Sequence, residues 1–168
     1  MALGNTSVSV SVSSNQSKSL DLGDANFPIS LTQAISLLNG TGAGQADLVF
    51  TDTRTLSASG TENLDLAGSL TDAYGATITF ARIKAVVVVA ASGNTNDVQV
   101  TRPASNGVPL FMAAGDGIAL KPNAMFVWAA SDATGVAVTA GTGDLLTVTN
   151  SAGTTGVTYT VIIIGASA

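Results

Sequence analysis

Between residues 116 and 164 a turn follows an alternating apolar run roughly every ten residues. The runs are 117–120, 125–130, 135–140, 145–149 and 157–164, the last being Val-Thr-Tyr-Thr-Val-Ile-Ile-Ile. The intervening segments, 121–123, 131–135, 141–144 and 150–156, carry the Gly, Asn, Asp and Pro that supply positive or fixed φ at a turn. Runs this short, rich in β-branched residues and punctuated this regularly, are strands rather than helices. The expected fold is all-β: a jelly-roll-like antiparallel β-sandwich or barrel of about eight strands.

The upstream sequence extends the same pattern less regularly. Residues 7–13 read Ser-Val-Ser-Val-Ser-Val-Ser, which puts Val8, Val10 and Val12 on one face of a half-buried or edge strand. Residues 14–26 are polar and read as turns. Residues 28–38 offer the one candidate helix, with Ser30 as cap, Gln33 three residues on, and Ile29, Leu31, Ala34, Ile35, Leu37 and Leu38 as its apolar positions. The glycine-rich stretch 39–44 reads as a flexible connector. The chain therefore divides into an extended N-terminal arm, 1–45, and a sandwich body, 46–168. Within the body, 47–56 and 62–66 read as strands, 70–75 as a turn and 98–100 as a return strand. Residues 76–91 read as one long strand whose near-continuous apolar run implies burial on both faces; in a trimer, a neighbouring subunit could supply one of the two covers. No internal repeat is visible.

A chain of 168 residues can bury a real core without staples. Charged residues make up only 10% of it, against roughly 25% in an ordinary soluble domain. Its surface must therefore be built from Ser, Thr, Asn, Gly and Ala, which suits a protein packed against neighbours. The net charge is −5 and the six basic residues (Lys18, Arg54, Arg82, Lys84, Arg102, Lys121) are scattered. No basic stripe exists to bind nucleic acid, and no polybasic cluster to hold a membrane. No signal peptide is visible at the N-terminus, and the apolar runs 85–91 and 161–164 are too short to span a bilayer.

Candidate chemistry is sparse. There is no histidine and no cysteine, which removes the usual general base, the commonest metal ligand and any thiolate site. Asp21 and Asp24 share a polar loop, whereas Glu62 and Asp65, three apart on a strand, point to opposite faces; both pairs read as solvated acids. Residues 94–97 (Asn-Thr-Asn-Asp) and 115–117 (Gly-Asp-Gly) faintly resemble calcium loops but lack the bidentate acid. Residues 40–44 lack the lysine of a phosphate loop. A Ser–Lys dyad is formally open, with no lysine in a recognisable motif. Trp128 lies in an apolar run and reads as core or subunit interface; with Tyr74 and Tyr159 it makes no groove signature. The residues thus point to no catalytic, cofactor-binding or metal-binding set, and to a non-enzyme.

The C-terminal half carries a family resemblance. Asp132-Ala-Thr-Gly followed by a hydrophobic strand, Gly143-Asp144 leading into Leu145-Leu-Thr-Val-Thr149, and a final strand closing on Ile163-Ile-Gly165 resemble small structural proteins of tailed bacteriophages. The segments 52–56 and 65–68 look like the same group, so the likeness covers about residues 47–168. The resemblance implies a virion component synthesised in the host cytoplasm, most plausibly a capsid decoration (cement) protein on the outer shell. It implies the major capsid protein as partner and self-association as a homotrimer. The rival expectations are a tail or head-fibre component and a carbohydrate-binding adhesin module. The arm, through Val8, Val10 and Val12, is expected to add a strand to a neighbour's open edge.

Overall fold

A computed structural model describes residues 3–168. All regular structure among them is β. The chain opens with β1 (Thr6–Leu20) and β2 (Gly23–Asn39), joined by the two-residue tip Asp21-Leu22 and paired antiparallel over fifteen consecutive positions from Thr6↔Leu37 to Leu20↔Gly23. Paired residues share a face. One face carries Val8, Val10, Val12 and Leu20 with Ile35, Leu31, Ile29 and Phe27; the other carries serines 7, 9, 11, 13, 17 and 19 with Ser36, Thr32, Ser30, Asn26 and Asp24. The polar face is laced by Ser11–Thr32, Asn15–Asn26 and Ser19–Asp24 hydrogen bonds at 3.2, 3.1 and 2.7 Å.

The helix expected over 28–38 is therefore absent, and so is the turn region over 14–26. Ile29, Leu31, Ile35 and Leu37 lie two or four apart, so strand pairing puts all of them on the face of the β1 valines. A helix would have spread them around its circumference. Pro28, which has no N–H, costs little because β2 pairs on one side alone over this stretch.

The chain then bends through the glycine stretch into β3 (Gln45–Ala46), which pairs parallel with the end of β2. This bend is held rather than loose. Gln45 Oε1 accepts from Gly42 N at 2.8 Å, and Gly44 N donates to Ser131 O at 2.7 Å.

The body is built on two sheets. The first contains β4 (Leu48–Leu56), β8 (Arg82–Ala90), β11 (Met125–Ala129) and β14 (Val157–Ala166), in the order β11-β8-β14-β4, with β12 (Val136–Ala137) on the end of β8. The second contains β5 (Thr61–Asp65), β9 (Val98–Thr101), β10 (Gly117–Leu120) and β13 (Leu145–Asn150), in the order β10-β9-β13-β5. A small hairpin, β6 (Ala67–Thr71) with β7 (Thr77–Thr79), lies between them in the chain. Every pairing in the two main sheets is antiparallel, and neither sheet closes into a barrel.

One core joins the sheets. Val86, Val88, Tyr159, Val161 and Ile163 from the first meet Leu64, Val98, Val100, Leu146 and Val148 from the second, all fully buried, with Ile78 and Phe80 alongside. Each such side chain contributes about 1.5–3 kcal/mol on removal from water. A second, smaller cluster sits on the opposite face of the first sheet. There Leu37, Ala46, Ala85 and Ile164 are buried beneath the foot of the hairpin, with Val8, Ile35, Val49, Ala129 and Ile162 packed around them.

The runs 117–120, 125–130, 145–149 and 157–164 all form strands near the expected bounds; 135–140 pairs with β8 at Val136–Ala137 and makes a single bridge from Thr139 to Gly143. The segment expected to turn at 70–75 continues as β6 to Thr71, and the turn is made by Asp72, whose carboxylate accepts from Tyr74 N and Ala76 N. The long strand expected over 76–91 is broken at Phe80-Ala81. Phe80 N bonds Leu66 O and Ala81 N bonds Ala166 O, so the chain exchanges the small hairpin for the first sheet at that point. Burial of β8 on both faces holds at Ala85, beneath the hairpin foot, whereas Val87 and Val89 stay half-exposed outside.

Candidate functional site

Most residues that the sequence offers for chemistry are occupied as structural ties. Asp21 stands at the hairpin tip and Asp24 bonds Ser19, so the two do not converge. Asp65 accepts from Ala67 N at 2.9 Å, while Glu62 faces Arg54 and Tyr159. Asn94 bonds both ways with the Thr158 backbone, at 2.9 and 2.8 Å, like an extra strand residue. Asn96 and Asn150 form a buried amide pair, 3.0 Å apart, that also binds the carbonyls of Ala152, Thr155 and Ser57. Asp97 pairs with Lys121 at 2.7 Å, and Asp116 accepts from Ala113 N. Among the described residues no three acidic side chains gather in a way that could hold a metal ion. Trp128 and Phe126 pack half-buried on the edge of the core, Tyr159 is buried in it, and Tyr74 is exposed 79% on a turn; the three do not meet.

A cluster of charged side chains gathers around the Tyr159 hydroxyl. Arg54 Nε bonds Glu62 Oε2 at 2.7 Å, its Nη1 bonds Asp52 at 2.9 Å, and Tyr159 Oη donates to Glu62 Oε1 at 2.8 Å. Burial pushes the Tyr159 hydroxyl well above its ordinary range, and the bond and charge of Glu62 add to this. Burial works to lower Arg54, but Glu62's charge and hydrogen bond outweigh it and the guanidinium stays firmly protonated. Asp52 and Arg54 border a shallow groove of about 320 Å³, lined also by Asn63, Ser69 and Asp72. Within it Arg54 pairs with Asp52, and the Asp72 carboxylate accepts from Tyr74 N and Ala76 N.

A second tie explains the Asp-Ala-Thr-Gly motif. The carboxylate of Asp132 accepts from Thr134 Oγ1, Thr134 N and Gly135 N, at 2.5, 2.8 and 2.8 Å. These bonds, led by the Thr134 hydroxyl, hold its pKa at about 2. The turn they close delivers the carbonyls of Asp132 and Ala133 to the ammonium of Lys84, a fully buried lysine. Burial lowers the Lys84 pKa, offset in part by Asp132. Gly135 has φ +54° and lies so close to Ile83 O that a Cβ would approach it to 2.2 Å. The motif is thus a strand-to-loop staple. The Gly-Asp motif is another: the Asp144 carboxylate accepts from Gly141 N at 2.5 Å.

What remains uncommitted is surface. On the hairpin's apolar face Val10, Val12, Leu20, Phe27, Ile29 and Leu31 are exposed by 42–65%, and no element among the described residues covers them. This face continues at its foot into the outer side of the first sheet. By register, that side presents the rows Met125–Val89–Thr160, Val127–Val87–Ile162 and Ala129–Ala85–Ile164. Met125 is 67% exposed and Val87, Val89 and Val127 are half-exposed. Charge is absent from the hairpin except near its tip, at Lys18, Asp21 and Asp24. Reading 28–38 as a helix hid half of this surface. The signal was present in the odd-numbered apolar residues Phe27, Ile29, Leu31, Ile35 and Leu37.

No protein-family model matches the chain, no curated protein matches its sequence, and no solved structure matches its fold.

Proposed function

We propose that the protein is a non-enzymatic structural component of a virion: a capsid decoration protein that binds the outer capsid surface and stabilises the shell. The observation that carries this reading is the long hairpin, charged only near its tip, whose bare apolar face stands on a body where the polar side chains of the candidate sites are committed to internal ties. A two-stranded hairpin is marginal in water by itself, so a chain that keeps one this long serves an assembled state. The resemblance of the Asp132–Gly135, Gly143-Asp144 and Ile163–Gly165 motifs to tailed-phage structural proteins supplies the kind of assembly. On this reading the two packed sheets form a jelly-roll-like sandwich, the partners are the major capsid protein and copies of the chain itself as a homotrimer, and the protein acts by burying charge-poor surface in many copies.

Purified protein should co-sediment with expanded, empty capsids and raise their melting temperature. Failure to co-sediment sinks the capsid reading. Binding to isolated tails instead would favour a tail or fibre component, and retention on a glycan array by the isolated chain would favour an adhesin.

A further inference from the structure

We propose that the apolar face of the β1–β2 hairpin is a self-association surface, closed in the working protein by a second copy of this chain. The inference deepens the self-association in the reading above and rests on that part alone, not on capsid attachment.

Three observations converge on a second copy. First, the kind of cover this face takes is visible at its foot. Val8, Ile35 and Leu37, on the same face as the bare residues, pack against Ala85, Ala129, Ile162 and Ile164 on the outer side of the first sheet. Beyond Val8 the hairpin outruns its own body and the face is bare. Second, the chain carries surface of the same character beside that foot, at Met125, Val127, Val87 and Val89. One molecule thus presents an uncovered apolar strip and an uncovered apolar sheet face, and two molecules can satisfy both. Third, the areas fit. The eleven paired positions from Val10↔Gln33 to Leu20↔Gly23, at about 3.4 Å each, make a bare strip about 37 Å long, and two strands make it about 10 Å wide, so the face offers on the order of 400 Å². The adjoining sheet surface brings this near the roughly 800 Å² per partner of a stable interface.

The other occupants fit less well. A bilayer would have to accept Ser14, Gln16 and Gln33, which lie along this face, together with the unpaired backbone groups of both hairpin edges, whereas Lys18, next to the tip, falls at the rim of any contact. A protein interface can pair two glutamines across a symmetry axis, which fixes register as well. Addition of a strand through the β1 edge would satisfy backbone groups but leave the apolar face in water.

The test is the mass of the full chain in solution. Wild-type protein should sediment as a multiple of 16.6 kDa down to low micromolar concentration. Phe27→Lys and Leu31→Lys should raise the dissociation constant by at least about 100-fold, since each leaves an unpaired charge in the contact. Ser13→Lys and Thr32→Lys, on the opposite face, should leave the mass unchanged. Because the chain has no cysteine, Leu31→Cys and Ser30→Cys give an assay in which no residue is made charged. Under mild oxidation Leu31→Cys should cross-link between chains and Ser30→Cys should not. A monomeric wild type overturns the proposal, whether or not it binds liposomes. So does an oligomer whose mass ignores the apolar-face lysines, or cross-linking that favours Ser30→Cys. Capsid binding by a monomer would overturn this inference while sparing the capsid reading, and an oligomer that ignores capsids would do the reverse.

Discussion

Tyr159 is where a single side chain reports most directly on the fold. Its ring fills the core, and its hydroxyl is spent on Glu62, which Arg54 also holds. Folding raises its pKa, so its contribution to stability is complete below the unfolded value near 10 and is lost as the pH rises beyond it. Above that value the unfolded chain releases a proton that the folded chain keeps. Wild-type stability should therefore fall by up to about 1.4 kcal/mol per pH unit from this residue alone. Tyr159→Phe should remove that slope while losing about 1–2 kcal/mol at neutral pH with the hydrogen bond. Urea titrations of both proteins at pH 8, 10 and 11 would check this; equal slopes would show that the hydroxyl is not protected. Lys84 shows a different use of a polar residue: a buried cation serves only to fasten two carbonyls of the 131–135 turn.

At the scale of elements, the loops at one end of the body depend on two amides. Asn150, at the end of β13, ties Ser57 after β4 and Thr155 before β14, and meets Asn96 before β9. Asn150→Ala strands these partners in a buried site and should cost about 2–4 kcal/mol. Lys121→Ala, which removes the exposed pair with Asp97, should stay within about 0.5 kcal/mol. Thermal melts of the two variants would separate these cases, and a similar loss in both would contradict the assignment. The strands themselves were largely legible, because a run such as Leu145-Leu-Thr-Val-Thr149 is bounded by glycine turns and cannot be a helix of useful length. Residues 28–38 were misread because Leu37-Leu38 and Ala34-Ile35 satisfy a helical stripe as well as a strand. The fifteen-position pairing with β1 that decides between them is not local information. The same limit applies to the site. Lys84, Asp132, Asn96 and Asn150 look like ordinary surface residues until topology brings partners 48 and 54 positions away against them.

As a whole the molecule couples a closed body to an open arm. If the arm is closed by a second copy, stability must depend on concentration. The melting temperature should then rise with protein concentration, and amides of Val10, Val12, Ile29 and Leu31 should gain exchange protection in step with it, while those of Val86 and Val161 change little. A melting temperature constant over a hundredfold dilution, with unchanging arm protection, would deny the coupling. The body has its own dependence on completeness. β14 follows all the other described strands in sequence, yet it lies inside the first sheet, flanked by β4 and β8 and paired with both along almost its whole length. Until residues 157–166 leave the ribosome, β4 has no neighbour in its sheet, β8 is paired on one side alone, by β11 and β12, and the core lacks Tyr159, Val161 and Ile163. Folding of the body must therefore wait until β14 has been made, and on contacts more than a hundred residues apart. A chain interrupted before Val157 therefore yields no partial body that could enter an assembly and spoil it. The central place of β14 makes each body its own test that translation has passed residue 166.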